Sequence, residues 1–319
     1  MAGPPVPDKR LLALGLILTL LCAAFLTLGA RGDWGFVLAY RGTKLAALLL
    51  VGVAVAVATV LFQTVSGNRI LTPSIMSFDA LFVLLQTGLV FALGGVGAAA
   101  LPSALRFVLE FGLLLGGALL LFGTLLGSGR TDLHRMVLTG IILGVLFRSL
   151  AGFLQRLIDP NDFVVVQSSS FASFGAVEGE LLGLAAGLSA LALLGTWSLR
   201  HRLDVLALGR DHAVSLGVDH RRSLLLVLVL VAALVSVSTA LVGPVTFFGL
   251  LVSALAHLVM RTHRHAALLP AAALVAGIVL VGGQLVVERL LGLAATLSVV
   301  VEFLGGLAFL FLILRRPVR

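Results

Sequence analysis

Hydrophobic positions in this chain form long unbroken runs separated by short polar stretches. Ten runs read as helices crossing a hydrocarbon slab of about 30 Å. They cover residues 11–30, 44–65, 79–98, 104–126, 136–157, 179–199, 223–243, 247–260, 268–288 and 298–314. The eighth is short, and the preceding turn Gly243-Pro244 is predicted to be partly buried, because irregular backbone at membrane depth needs protein around it. The runs are continuous rather than alternating, which argues against a transmembrane barrel. The prediction is an all-α polytopic membrane protein: one transmembrane domain over residues 1–319, with no soluble domain and no long linker. The first run follows Lys9-Arg10 like a signal peptide, but no small-x-small cleavage site succeeds it, so an uncleaved span is expected.

Composition agrees. The chain is 60% hydrophobic and 11% charged, with mean hydropathy +1.18, too little polar material to cover a soluble core. The net charge of +8 raises the question of nucleic acid, yet the basic residues are scattered over short connections and form no single patch. Their distribution follows the positive-inside rule instead. With the amino terminus inside, fifteen Lys and Arg fall in inner segments. Only Arg31, Arg41, Lys44, Arg106 and Arg289 fall in outer ones. Both termini are therefore expected on the cytoplasmic side of a bacterial inner membrane. Cys22 is the sole cysteine, which leaves neither a disulfide framework nor a thiolate metal site.

Two connections differ from the rest. The outer stretch 158–177 carries Asp159-Pro160-Asn161-Asp162 and Ser168-Ser169-Ser170 and no basic residue, and it reads as a loop. The inner stretch 200–222 mixes Val205, Leu206, Leu208, Val214, Leu216 and Val218 with charge, a pattern suited to short amphipathic helices lying on a membrane or a partner.

Several chemistries are missing. A P-loop needs Gly-Lys-Ser/Thr, but the only two lysines follow Asp8 and Thr43, so this chain does not bind ATP in that manner. No His precedes Glu as zinc-protease chemistry requires, and there is no Gly-x-Ser-x-Gly elbow. His263 and His265 flank Arg264 at an inner helix end, off a common face, and read as solvated residues rather than metal ligands. His257 reads as packed and hydrogen-bonded within its span. The chain is not expected to be an enzyme, nor to hold a metal or cofactor of its own.

Polar groups inside spans are costly and suggest function. Arg148 lies near the middle of the fifth span, with Gln155 and Arg156 towards its outer end. These three are candidate pathway residues that could meet an anionic cargo. The alternative is that Arg148 pairs with a neighbouring helix, Glu110 and Glu302 being candidate partners, while Arg156 snorkels outward. Gln63, Gln86 and Gln284 read as interhelical hydrogen-bonders, and Gly112, Gly116 and Gly117 as close-packing positions. A carrier driven by an ion gradient would want acids near the midplane and repeated broken helices. Acids here lie near span ends, and no two-half repeat is evident.

Several stretches together resemble one family. They are Gly243-Pro244-Val245-Thr246-Phe247-Phe248-Gly249-Leu250-Leu251-Val252, Leu268-Leu269-Pro270, Gly282-Gly283-Gln284, and Gly305-Gly306 followed by an apolar run and Arg315-Arg316. They are similar to the FecCD-type permeases, the membrane subunits of iron–siderophore, haem and cobalamin ABC importers. Leu208-Gly209 and Ser215-Leu216-Gly217-Val218 resemble that family's coupling region. Three further stretches, Asn68–Met76, Gln155–Phe163 and Thr296–Val299, resemble the branch for ferric catecholate and mixed-ligand siderophores. The resemblance runs from about residue 44 onward. Ser253-Ala254-Leu255-Ala256-His257 departs from the Pro-His pair of many members, as that branch often does.

The resemblance implies a type II ABC-importer permease fold, a ferric siderophore as cargo, and no cofactor on this chain. ATP would be used by a separate ATP-binding subunit. It also implies an external substrate-binding protein and a second permease, either a copy or a paralogue. Leu208, Gly209, His212, Ala213, Leu216, Gly217 and Val218 would form the ATPase-coupling surface. A haem or cobalamin importer permease and a gradient-driven secondary transporter are the alternatives.

Overall fold

The computed structural model describes residues 9–29, 33–127, 133–175, 177–290 and 296–315. Ten of its helices coincide with the predicted runs. They are α1 (Lys9–Thr27), α2 (Trp34–Ser66), α3 (Phe78–Ala99), α4 (Ser103–Gly127), α5 (Leu133–Gln155), α7 (Gly179–Ser198), α10 (His220–Val242), α11 (Phe248–Met260), α12 (His265–Arg289) and α13 (Leu297–Arg315). Three short helices lie in the connections: α6 (Pro160–Ser169), α8 (Arg200–Leu206) and α9 (Arg210–Ser215). A 3₁₀ turn, Pro73–Met76, precedes α3. Among the described residues, eight helices are long and apolar enough to cross a membrane, and α11 and the described apolar part of α13 are shorter.

α2 is the axis of the bundle. It has 33 residues, about 50 Å at the α-helical rise and more than a hydrocarbon slab requires. Its first ten residues, predicted to be part of an outer connection, are helical. Asp33 caps them by accepting a hydrogen bond from the Gly35 amide at 3.0 Å. From Leu45 to Gln63 nearly every side chain is buried, as expected of a helix apolar on all sides. α12, α10, α11, α7 and α1 pack around it, and α10 in turn meets α4 and α7. α1 and α5 stay mostly uncovered.

Small residues let these helices approach. A Cβ at Gly249 of α11 would fall on the Thr59 hydroxyl of α2, and one at Gly277 of α12 would lie 2.9 Å from Leu18. Of Gly112, Gly116 and Gly117 on α4, only Gly117 serves this way, against Leu81. Gly112 and Gly116 face open space.

Of the cations read from sequence as outer-segment residues, Arg41, Lys44, Arg106 and Arg289 are fastened to helices, and Arg31 lies outside the described residues. The Arg41 guanidinium donates to the carbonyls of Phe25 (3.1 Å) and Leu28 (2.8 Å), and Arg289 also donates to Leu28. Together they close the C-terminus of α1, where carbonyls lack partners and the helix dipole is negative. Arg10 does the same for α11 through the carbonyls of Val259 (2.8 Å) and Met260 (3.1 Å). Lys44 forms an ion pair with Glu288 at 2.7 Å, and Gln284 donates to the same carboxylate at 2.8 Å. Gln284 thus bonds within its own helix to a carboxylate shared with α2. Arg106, Glu110 and Gln86 form a closed ring of hydrogen bonds of 2.6–2.8 Å, so the partner of Glu110 is Arg106, not Arg148.

The stretch 158–177 is more ordered than a loop. Asp159 caps α6 by accepting from the Asn161 amide at 2.8 Å, with Pro160 in the first turn. α6 packs on α3 where Gly94 breaks the helix, and Asp162 presses against Gly95 so closely that a Cβ there would collide with its carboxylate. The following residues reach the Gly243 turn, where the Ser173 amide donates to the Val242 carbonyl at 2.8 Å.

Candidate functional site

The stretch between α7 and α10 folds as two short helices joined by a glycine turn. Leu203, Leu206 and Ala213 turn inward and are buried, whereas Leu208, Val214 and Leu216 are 57%, 58% and 62% exposed. Three large apolar side chains are therefore uncovered beside Arg210, Asp211 and His212, which are also exposed. Gly209 sits between the helices at φ +93° and its carbonyl accepts from the Ala213 amide. α9 ends in a Schellman motif. Gly217 takes φ +79°, its amide donates to Val214 at 2.9 Å, and the Val218 amide donates to Ala213 at 3.0 Å. Val218 is partly buried against the bundle core to which Ala213 belongs. The seven residues predicted as a coupling surface thus divide by role: Leu208, His212 and Leu216 are exposed, Ala213 and Val218 anchor, and Gly209 and Gly217 shape the turns.

Asp204 bonds this segment to the bundle. The Asp204 carboxylate accepts from the His265 backbone amide at 2.8 Å and meets His265 Nδ1 at 2.7 Å. His265 Nε2 lies 2.7 Å from the Thr64 hydroxyl of α2. His265 is 2% exposed. It is not the solvated residue its position beside Arg264 suggested. His263 faces Arg69 at 3.3 Å, and His257 Nδ1 bonds the Ser253 carbonyl at 2.8 Å within its helix, as expected. No group of three or more metal-ligating side chains occurs among the described residues.

A second polar centre lies where backbone is irregular inside the membrane. α11 has 13 residues, about 20 Å of helix, so the link Gly243–Phe247 cannot reach the far surface and sits at depth. Gly243, Pro244 and Val245 are buried, as predicted for this turn. The Thr246 hydroxyl donates to Asp79 of α3 at 2.7 Å, and the Glu302 carboxylate of α13 lies beside the Thr246 backbone. Arg148 is near enough to act electrostatically on Asp79. α13 comes this close because Gly305 has no side chain to strike Phe247. Asp79 and Glu302 lie in the first two turns of α3 and α13, near helix ends as the sequence reading had it, but those ends meet the buried link. Asp79 is the charged neighbour of Arg148 that the sequence did not disclose, since its place in the first turn of an apolar run looked like a helix end.

The three pathway candidates do not behave alike. Arg148 is exposed on the side of α5, two turns from Gln155. Gln155 donates to Thr87 of α3 at 3.2 Å and serves packing. Arg156 lies just past the helix and is exposed, consistent with snorkelling.

A helical bundle with a broken segment at its centre and an apolar two-helix connection at one end has the fold of a transporter's membrane domain. It superposes on an inward-facing metal-chelate type ABC transporter with a TM-score of 0.80, covering 97% of this chain and 99% of that one at 24% identity. The chain belongs to the FecCD transport family, whose profile matches residues 11–315. It is 41% identical to the petrobactin import system permease protein YclO of Bacillus subtilis (strain 168), over 97% of this chain and 98% of that protein. It is 30% identical to the petrobactin import system permease protein FatC of Bacillus anthracis, over 86% and 78%.

Proposed function

We propose that this chain is the membrane-spanning permease subunit of an ABC importer that carries a ferric siderophore of the catecholate or mixed-ligand class, petrobactin being the first to test. The supporting observation is likeness along nearly the whole chain to a petrobactin import permease, joined to an exposed apolar edge on α8–α9. The chain lacks a P-loop, so hydrolysis belongs to a separate ATPase subunit. Leu208, His212 and Leu216 seat in a groove on that subunit, as short helices with apolar edges do. The α8–α9 face is cytoplasmic, both termini lie on that side of the inner membrane, and a substrate-binding protein delivers cargo to the opposite face. ATP-driven closure of the ATPases tilts the permease halves between outward and inward access.

A second permease completes the pathway. Arg148 is exposed on a membrane-spanning helix, and a cation at that depth is costly against lipid. Its side of α5 therefore faces a partner permease or the cargo passage.

The acids around Thr246 favour one competing reading, a gradient-driven carrier. Uptake of radiolabelled ferric petrobactin, enterobactin and hydroxamates by iron-starved cells with and without the gene separates the two. Loss of one class, restored by the gene and abolished by ATP depletion but not by an ionophore, is the expected result. Uptake that survives ATP depletion and collapses with the ionophore overturns the ABC assignment.

A further inference from the structure

α12 begins without a cap of its own. Arg264 occupies the N-cap position, and its side chain makes no capping bond. The first amide of the helix is met instead by Asp204, 61 residues earlier and on α8. The same carboxylate oxygen takes the ring of His265, and the other ring nitrogen touches Thr64 in the last turn of α2. One short chain of hydrogen bonds therefore joins the exposed segment to the ends of two helices that pack along each other through the core.

We infer that Asp204, His265 and Thr64 are positioning residues that pass movement of α8–α9 to α2 and α12. The inference rests on the docking role proposed for α8–α9. Three features carry it. The contacts are short, at 2.7–2.8 Å. His265 is enclosed, so water cannot replace a broken link without cost. Finally, Leu203 and Leu206 hold α8 by apolar contacts, which let neighbours slide, whereas the Asp204 link is directional and fixes one register. The helices it reaches are the axis of the bundle and the neighbour of α11 and α13, which border the Thr246 turn.

The test uses the whole importer in proteoliposomes and reads siderophore transported per ATP hydrolysed, together with ATPase co-purification. Asp204→Ala and His265→Ala should each lower that ratio about five- to tenfold, the scale of coupling between distant sites, with the ATPase still bound. The double variant should be no worse than either single one, as expected of residues in one chain. Asp204→Asn keeps an acceptor for the amide and should recover most of the ratio. His265→Asn replaces only the Nδ1 contact and His265→Gln only the Nε2 contact, so neither should rescue fully.

An unchanged ratio in Asp204→Ala overturns the relay. So does a parallel loss of protein, hydrolysis and transport in Asp204→Ala and Asp204→Asn alike, which would mean a cap that only holds the fold. The docking role fails by a different result: ATPase that stays bound to Leu216→Asp.

Discussion

Gly217 shows how one backbone angle can matter more than space. A Cβ there would meet nothing within 4 Å, yet its φ is +79°. An L-residue pays about 1–2 kcal/mol for that conformation, and a β-branched one more. Gly217→Val should therefore leave the protein in the membrane in normal amount but unwind the end of α9, so that uptake falls while ATP hydrolysis persists. Gly217→Asn, a residue that tolerates left-handed backbone, should stay near wild type. Matched assays of uptake and hydrolysis check both, and normal uptake in the valine variant would remove Gly217 from the coupling surface. The glycine and its neighbours were legible in sequence because a turn residue after a short amphipathic stretch has a local signature. Asp204 was not, because what makes it special is a histidine 61 residues away.

At the scale of elements, cations that mark orientation in the sequence serve as caps and clamps in the structure. Lys44 of α2 and Glu288 of α12 are largely buried and 2.7 Å apart. Removing one partner strands the other charge, a loss of at most about 3 kcal/mol for a pair that keeps some exposure. Lys44→Met should lower the melting temperature of the purified protein, and Lys44→Met with Glu288→Gln should recover part of the loss. A double variant no better than the single one would show that the pair does not hold α2 to α12. α6 offers a second check. Gly95→Leu would drive Asp162 away and loosen α6 from the break in α3, which limited proteolysis should detect as new cleavage within 158–177. The helical nature of that stretch went unread because its apolar face is short and its polar residues dominate, so the pattern resembled a loop.

For the molecule as a whole, the uncovered face of α5 is the feature that a single chain leaves open. Ile141, Val145 and Arg148 follow helical spacing and are all exposed. If this face lines the passage, Val145→Cys in a Cys22→Ser background should react with a water-soluble maleimide in the assembled importer, and its rate should change when ATP is added. Labelling that is absent in every nucleotide state would mean a sealed or lipid-facing side and would separate Arg148 from cargo movement.

The sequence alone determined the membrane class, ten apolar helices and the shortness of the eighth, because crossing a hydrocarbon slab demands a length and polarity that every window displays locally. It also located the exposed two-helix segment by its mixed pattern. Which polar groups meet became visible only once the helices were packed. Asp79 with Thr246, Lys44 with Glu288, and Asp204 with His265 are joined by helices returning to the same place after 167, 244 and 61 residues. Hydrophobicity sets how deep a helix sits but is nearly silent on its rotation and neighbours. Those are settled by side-chain shape, by the few glycines that permit contact, and by the need of each buried polar group for a partner.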